Sequence, residues 1–152
     1  MSLDATGPAF DARVRSTVYE LLTNGTLPRR DVVAACVRAD ADDVAASLER
    51  LAAERILVLD ATTREVWMAM PFSAVPTPFV VEADGNNWWA NCAWDALGIA
   101  AAVHRDVRVS SACADCGHPL SLTVSGGQLT SSDGVAHFAV PAADWWRDIG
   151  YT

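Results

Sequence analysis

Apolar residues keep helical spacing through Leu51 and then switch to strand-like runs, and that change of period constrains the fold more than any other feature of the chain. Phe10, Val14, Val18, Leu21 and Leu22 recur at helical intervals and stop at Asn24-Gly25. Pro28 suits the start of a second helix bearing Val32, Val33, Ala35 and Val37. A third opens near Asp40 to Asp43, where carboxylates complement the positive end of a helix, and it runs through Val44, Leu48 and Leu51. "RILVLD" and "EVWMAMP" then read as two short strands about the turn "ATTR". Helices followed by strands place the chain in the α+β class. The expected architecture is an N-terminal winged-helix-like helical part, residues 1–70, packed on a small sheet-plus-helix part, residues 71–152. With 152 residues in all, neither part buries enough surface to stand alone, so one folded unit is expected.

The boundary is placed at "PFSAVPTP", whose three prolines make a stiff, extended connection. "PFVVEA" follows as a strand and Asp84-Gly85 as a turn. "WWANCAWDALGIAAAV", residues 88–103, reads as a helix rich in Ala, Leu and Trp. Val107 and Val109, then Leu120, Leu122 and Val124, alternate with polar residues and predict two strands joined at Cys113 and Cys116. "AHFAVP" is expected as a last strand and "AADWWRDIG" as a short closing helix.

A formal net charge of −8, with no lysine and arginine alone carrying the positive charge, disfavours phosphate backbones and anionic lipid surfaces as partners. Three helices and a hairpin also suit a DNA-binding module, but between Leu27 and Arg55 five arginines meet six carboxylates, so no basic stripe forms. No apolar run reaches the length of a membrane helix, and the N-terminus lacks the pattern of a secretory signal. The expected setting is the cytoplasm, without nucleic-acid or membrane partners. There Cys36, Cys92, Cys113 and Cys116 stay mainly reduced and serve packing, metal binding or catalysis.

Two constellations carry chemistry. Cys92 and Asp95 stand at i and i+3 of the expected helix and so share one of its faces. A thiolate is a nucleophile and a soft ligand, whereas a thiol is neither, and an adjacent carboxylate opposes its ionisation. The pair makes sense where Asp95 takes and returns the thiol's proton, and tryptophan-lined surroundings push a carboxyl pKa upward. The competing reading is a packed cysteine with Asp95 facing solvent. "CADCGHP", residues 113–119, is half of a zinc knuckle. A structural zinc needs further ligands from Cys36, Cys92, His104, His118 or His137, and the competing reading is a polar turn.

"PFSAVPT", "WWANCAWDALGIAAAV" and "VRVSSACADCGHPLSLTVS" together resemble the alkylmercury (organomercurial) lyase family, over roughly residues 64–128. "HFAVPAADWW" resembles that family's closing segment. The resemblance implies protonolysis of a carbon–mercury bond, yielding a hydrocarbon and Hg(II) as bound product, with no required cofactor. Cys92 matches the cysteine that binds mercury, Asp95 the aspartate that handles the proton, and Cys113 a further family cysteine of more structural character. The family's second catalytic cysteine lies shortly before the closing segment. Here "TSSDGVAHFAV" has none, with Asp133 or Gly134 at the matching place. Cys116, expected to approach the Cys92 helix, is the preferred catalytic stand-in, with Asp133 as a poorer oxygen ligand. The implied partners are a small organometallic or organic substrate and cellular thiols. The alternative is a non-catalytic thiolate protein holding Hg, Cu or Zn through Cys92, Cys113 and Cys116.

Overall fold

The computed structural model describes residues 7–132 and 134–150. Three helices come first: α1 (Pro8–Thr23), α2 (Arg30–Val37) and α3 (Ala41–Ala53). They pack on one another through the faces read from the sequence, with Val14, Val18, Val33, Val44 and Leu48 fully buried. A hairpin of β1 (Val58–Leu59) and β2 (Val66–Ala69) follows, and β3 (Phe72–Ser73) pairs with β2. Then come β4 (Phe79–Ala83), β5 (Asn86–Ala90), α4 (Ala93–Val103), β6 (Val107–Ala112), β7 (Pro119–Ser125) and β8 (Gln128–Ser132). A 3-10 turn, Ala142–Arg147, lies near the C-terminus. Among the described residues, no helix is long and apolar enough to cross a membrane.

Among the described residues, eight strands join one antiparallel sheet in the order β1-β2-β3-β5-β4-β6-β7-β8. Strands from both sides of residue 70 therefore share one hydrogen-bonded ladder, through β3. Trp88, Val81 and Val109 lie side by side across β5, β4 and β6, and all three are buried. On the opposite face Glu82 is paired with Arg108, opposite charges across adjacent strands. Helix α4 packs on β4 and β5, burying Ala96, Ile99 and Ala100. The Trp88 ring reaches the helical layer, its Nε1–H donating to Leu22 O at 2.9 Å. One apolar core thus runs from α1 to β7.

Two expectations are corrected. Residues 88–90 are strand, not helix. Asp84 and Gly85 both take positive φ (48° and 79°), the two-residue turn whose twist suits a hairpin, and it returns the chain directly along β4. The adjacent tryptophans then alternate, Trp88 inward and Trp89 half-buried on the other face, as a pleat requires. "AHFAVP" is not a strand either. Among the described residues the last strand is β8, entered through Gly126 and Gly127, again both at positive φ, and residues 135–140 run without a strand partner.

Asp11 ties α1 to α3. Its carboxylate accepts from the buried Ser47 hydroxyl at 2.5 Å and from Arg50 Nε and Nη2 at 2.8 and 2.6 Å. The Arg50 hydrogen bonds hold the Asp11 carboxyl below its usual range. A depressed pKa stabilises above the unfolded value and loses that contribution as pH falls through the folded one. Asp11→Asn is expected to lower unfolding free energy by about 1 kcal/mol at pH 7, the order found for partly exposed pairs. The gap from the parent should narrow progressively in urea melts as pH is taken down from about 4.

Candidate active site

Cys92 sits where β5 ends and α4 begins. It is the N-cap of α4, with extended backbone (φ −152°, ψ 179°), and its Sγ accepts the Asp95 N–H at 3.4 Å. A cap position normally belongs to a short side chain that can accept from the first-turn amides, and sulfur fills that role here. Cys92 and Asp95 are thus brought together as cap and first turn, rather than as two points on a mid-helix face.

The Asp95 carboxylate is held by Asn91, whose Nδ2 donates to Asp95 Oδ2 at 3.0 Å and to Pro71 O and Phe72 O at 3.3 Å each. Two carbonyls facing the amide fix which end is NH2, because an oxygen there would meet only acceptors. Asn91 Oδ1 is buried and has no partner among the described residues. Burial pushes the Asp95 carboxyl pKa up, against a smaller downward pull from Asn91. Burial also pushes the Cys92 thiol up. The Asp95 amide opposes that shift, and the Asp95 charge adds to it. Both groups are therefore biased toward their protonated forms, as two sites competing to stay neutral in a partly dry setting.

Cys92 lines a cleft of about 390 Å³. Its floor is Phe79, Asn91, Cys92 and Ala93, and its far wall is the irregular stretch from Ala136 to Val140, with Gly150. The stretch that follows this wall is braced from the helical half of the chain. Arg55 lies over the Trp146 ring at 5.5 Å, and Gly150 is so close to Trp67 that a Cβ there would fall 2.6 Å from the indole. Phe138 packs on Trp145 with centroids 5.4 Å apart, and Trp145 Nε1 donates to Val140 O.

The other residues singled out from the sequence lie elsewhere. Cys113 and Cys116 occupy the turn between β6 and β7, and neither lines the cleft. By register, Ala90 pairs with Phe79 and Val80 with Ser110, so the β5 and β6 ends that carry Cys92 and Cys113 point the same way, two strands apart. That separation is about 10 Å across the sheet. Asp133 lies outside the described residues. Cys36 is exposed on α2, and His104 caps the C-terminus of α4 in a left-handed conformation. All four cysteines are free, and among the described residues no three His, Cys, Asp or Glu side chains gather as a metal site.

Sequence reasoning missed Asn91 and Tyr19, and it considered His137 only as a further zinc ligand, whereas His137 lines the cleft. Asn91 precedes Asp95 by four, a spacing that brings side chains together at a helix start, so "NCAWD" held the signal. Tyr19 donates to Met70 O at 3.2 Å, and burial and then Asp95's charge raise its pKa, with Arg15 acting against them. Nothing local to α1 marks that long-range approach.

The alkylmercury lyase family model matches residues 72–152, just over half of the chain. The fold is similar to the crystal structure of the mercury-bound form of MerB2, with a TM-score of 0.66 at 23% identity, covering 84% of this chain and 62% of that one. This chain therefore spans less than two thirds of that protein's length.

Proposed function

Because the chain belongs to the alkylmercury lyase family, we propose that it cleaves the carbon–mercury bond of a small organomercurial, with Cys92 holding the metal and Asp95 carrying the proton. The observation that carries this reading is the cap arrangement. Cys92 lines a cleft, and a carboxyl three residues on is hydrogen-bonded into place and made more basic by burial.

The proton account closes without a resident cofactor. The organomercurial enters with mercury toward Cys92. The thiol proton passes to the Asp95 carboxylate as the sulfur–mercury bond forms. Asp95 then gives that proton to the carbon as the carbon–mercury bond breaks, and its electron pair becomes the new C–H bond. Hydrocarbon leaves, and Hg(II) stays on the sulfur as product. A raised carboxyl pKa helps the first transfer, and proximity helps the second. A second thiolate on mercury adds electron density and loosens the bond to carbon. Since Cys92 is the sole cysteine lining the cleft among the described residues, a cellular thiol entering from solvent supplies that donor. The Cys116 role expected from sequence has no support from its position in the β6–β7 turn.

The single sulfur in the cleft also favours a second reading, in which the site captures mercury without cleaving the bond. One experiment separates the two. The protein is incubated with phenylmercury and excess monothiol, and benzene is measured in the headspace. Benzene above the protein-free control, lost in Cys92→Ser, is the expected result. Serine is a good N-cap, so that variant should fold and melt within a few degrees of the parent. Stoichiometric bound phenylmercury with no benzene would favour capture, and neither product nor binding would overturn both.

A further inference from the structure

We propose that Cys113 and Cys116 form a second thiol site, apart from the Cys92 cleft, that binds one soft two-coordinate cation such as Hg(II) as a bis-thiolate. The turn that carries them is closed by its own backbone. Cys113 N–H donates to His118 O at 2.8 Å, and Gly117 N–H to Cys113 O at 2.9 Å. Gly117 turns the chain back at φ +70°, where a side chain would be strained. The ends of the turn are anchored in β6 and β7, paired from Val107–Val124 to Ala112–Pro119. Cys113 and Cys116 stand three residues apart inside this one closed turn, so a single short loop carries both thiols. Cys116 is exposed and Cys113 half-exposed, so an ion can arrive from solvent.

The number of ligands selects the ion. Zinc takes four ligands in a closed site. Among the described residues no third His, Cys, Asp or Glu joins this pair. Two thiolates alone suit a soft d10 ion that is content with two donors. Binding breaks two S–H bonds, forms two sulfur–metal bonds and releases two protons. With Hg(II) the bis-thiolate is neutral, and affinity rises with pH. The site does not depend on the lyase reading, because it uses neither Cys92 nor Asp95.

The test uses the full chain as Cys36→Ser/Cys92→Ser, which keeps only this pair. It is titrated with mercuric chloride against about 1 mM monothiol, close to the effective concentration a tethered second thiol supplies. Native mass spectrometry counts the metal, and near-ultraviolet absorption reports sulfur–mercury bonds. One mercury per chain is expected. Adding either Cys113→Ser or Cys116→Ser should weaken retention on the order of 100-fold, as loss of a chelating partner does. Circular dichroism of each variant checks that the fold persists. Two mercury ions per chain, equal retention by the single-cysteine variants, or zinc held between two chains in preference to mercury would each overturn the proposal.

Discussion

Asp95→Asn is expected to lower hydrocarbon release by roughly 10²- to 10⁴-fold, the usual worth of a positioned acid–base group, while mercury capture at Cys92 persists. Asparagine keeps an oxygen that can accept from Asn91 Nδ2, so the first turn of α4 should hold its shape. What it cannot do is take the thiol proton or hand it to carbon. The same change should not weaken the fold at neutral pH. Burial raises the Asp95 pKa, so the folded state keeps that proton more firmly than the unfolded state does. The stability this confers is full below the ordinary aspartate pKa and is lost as pH rises through the folded value. As pH rises toward neutrality, ionising the half-buried carboxyl costs stability that asparagine does not lose. The variant should therefore melt at or above the parent at pH 7, with the difference vanishing below about pH 4. Headspace analysis and urea melts at both pH values test this together. Loss of stability along with loss of turnover would make Asp95 a structural prop.

The largest effect on stability is expected from Phe72→Ala, at about 3–5 kcal/mol. Phe72 is 1% exposed and lies on β3, between Ala69 of β2 and Ala90 of β5. It fills the space where the hairpin that follows the helices meets the rest of the sheet. Its neighbours across the ladder are alanines, too small to close over a lost ring. Domains of this size are commonly stable by about 5–15 kcal/mol, so the loss is a large share of the whole. A urea midpoint that moves by the equivalent of less than about 1 kcal/mol would mean that β3 collapses freely into the gap.

The helices and most strands were legible because their burial follows a simple period. The inward faces of α1 and α3 are the ones spaced at three and four residues, and Val107, Val109 and Val124 alternate as a half-buried sheet does. Residues 88–90 misled because alanine and tryptophan around "WWANCAW" suit a helix locally, while pairing with β4 across the Asp84-Gly85 turn decides the outcome. β3, only two residues long, carries no period at all, and its existence depends on partners on either side. The Cys92–Asp95 pair was visible as a spacing, although its geometry is that of a cap. The wall of the cleft was not, because residues 136–140 are set against Cys92 by contacts distant in sequence, such as Gly150 with Trp67.

The bond from the Asp95 amide to the Cys92 sulfur has a thermodynamic consequence. A cation drawing on the same lone pairs competes with that amide, so occupancy of the sulfur and winding of the first turn of α4 are linked, each biasing the other by the same free energy. Hydrogen exchange at this one backbone amide then becomes a gauge of metal loading, read from the residue proposed to carry the proton.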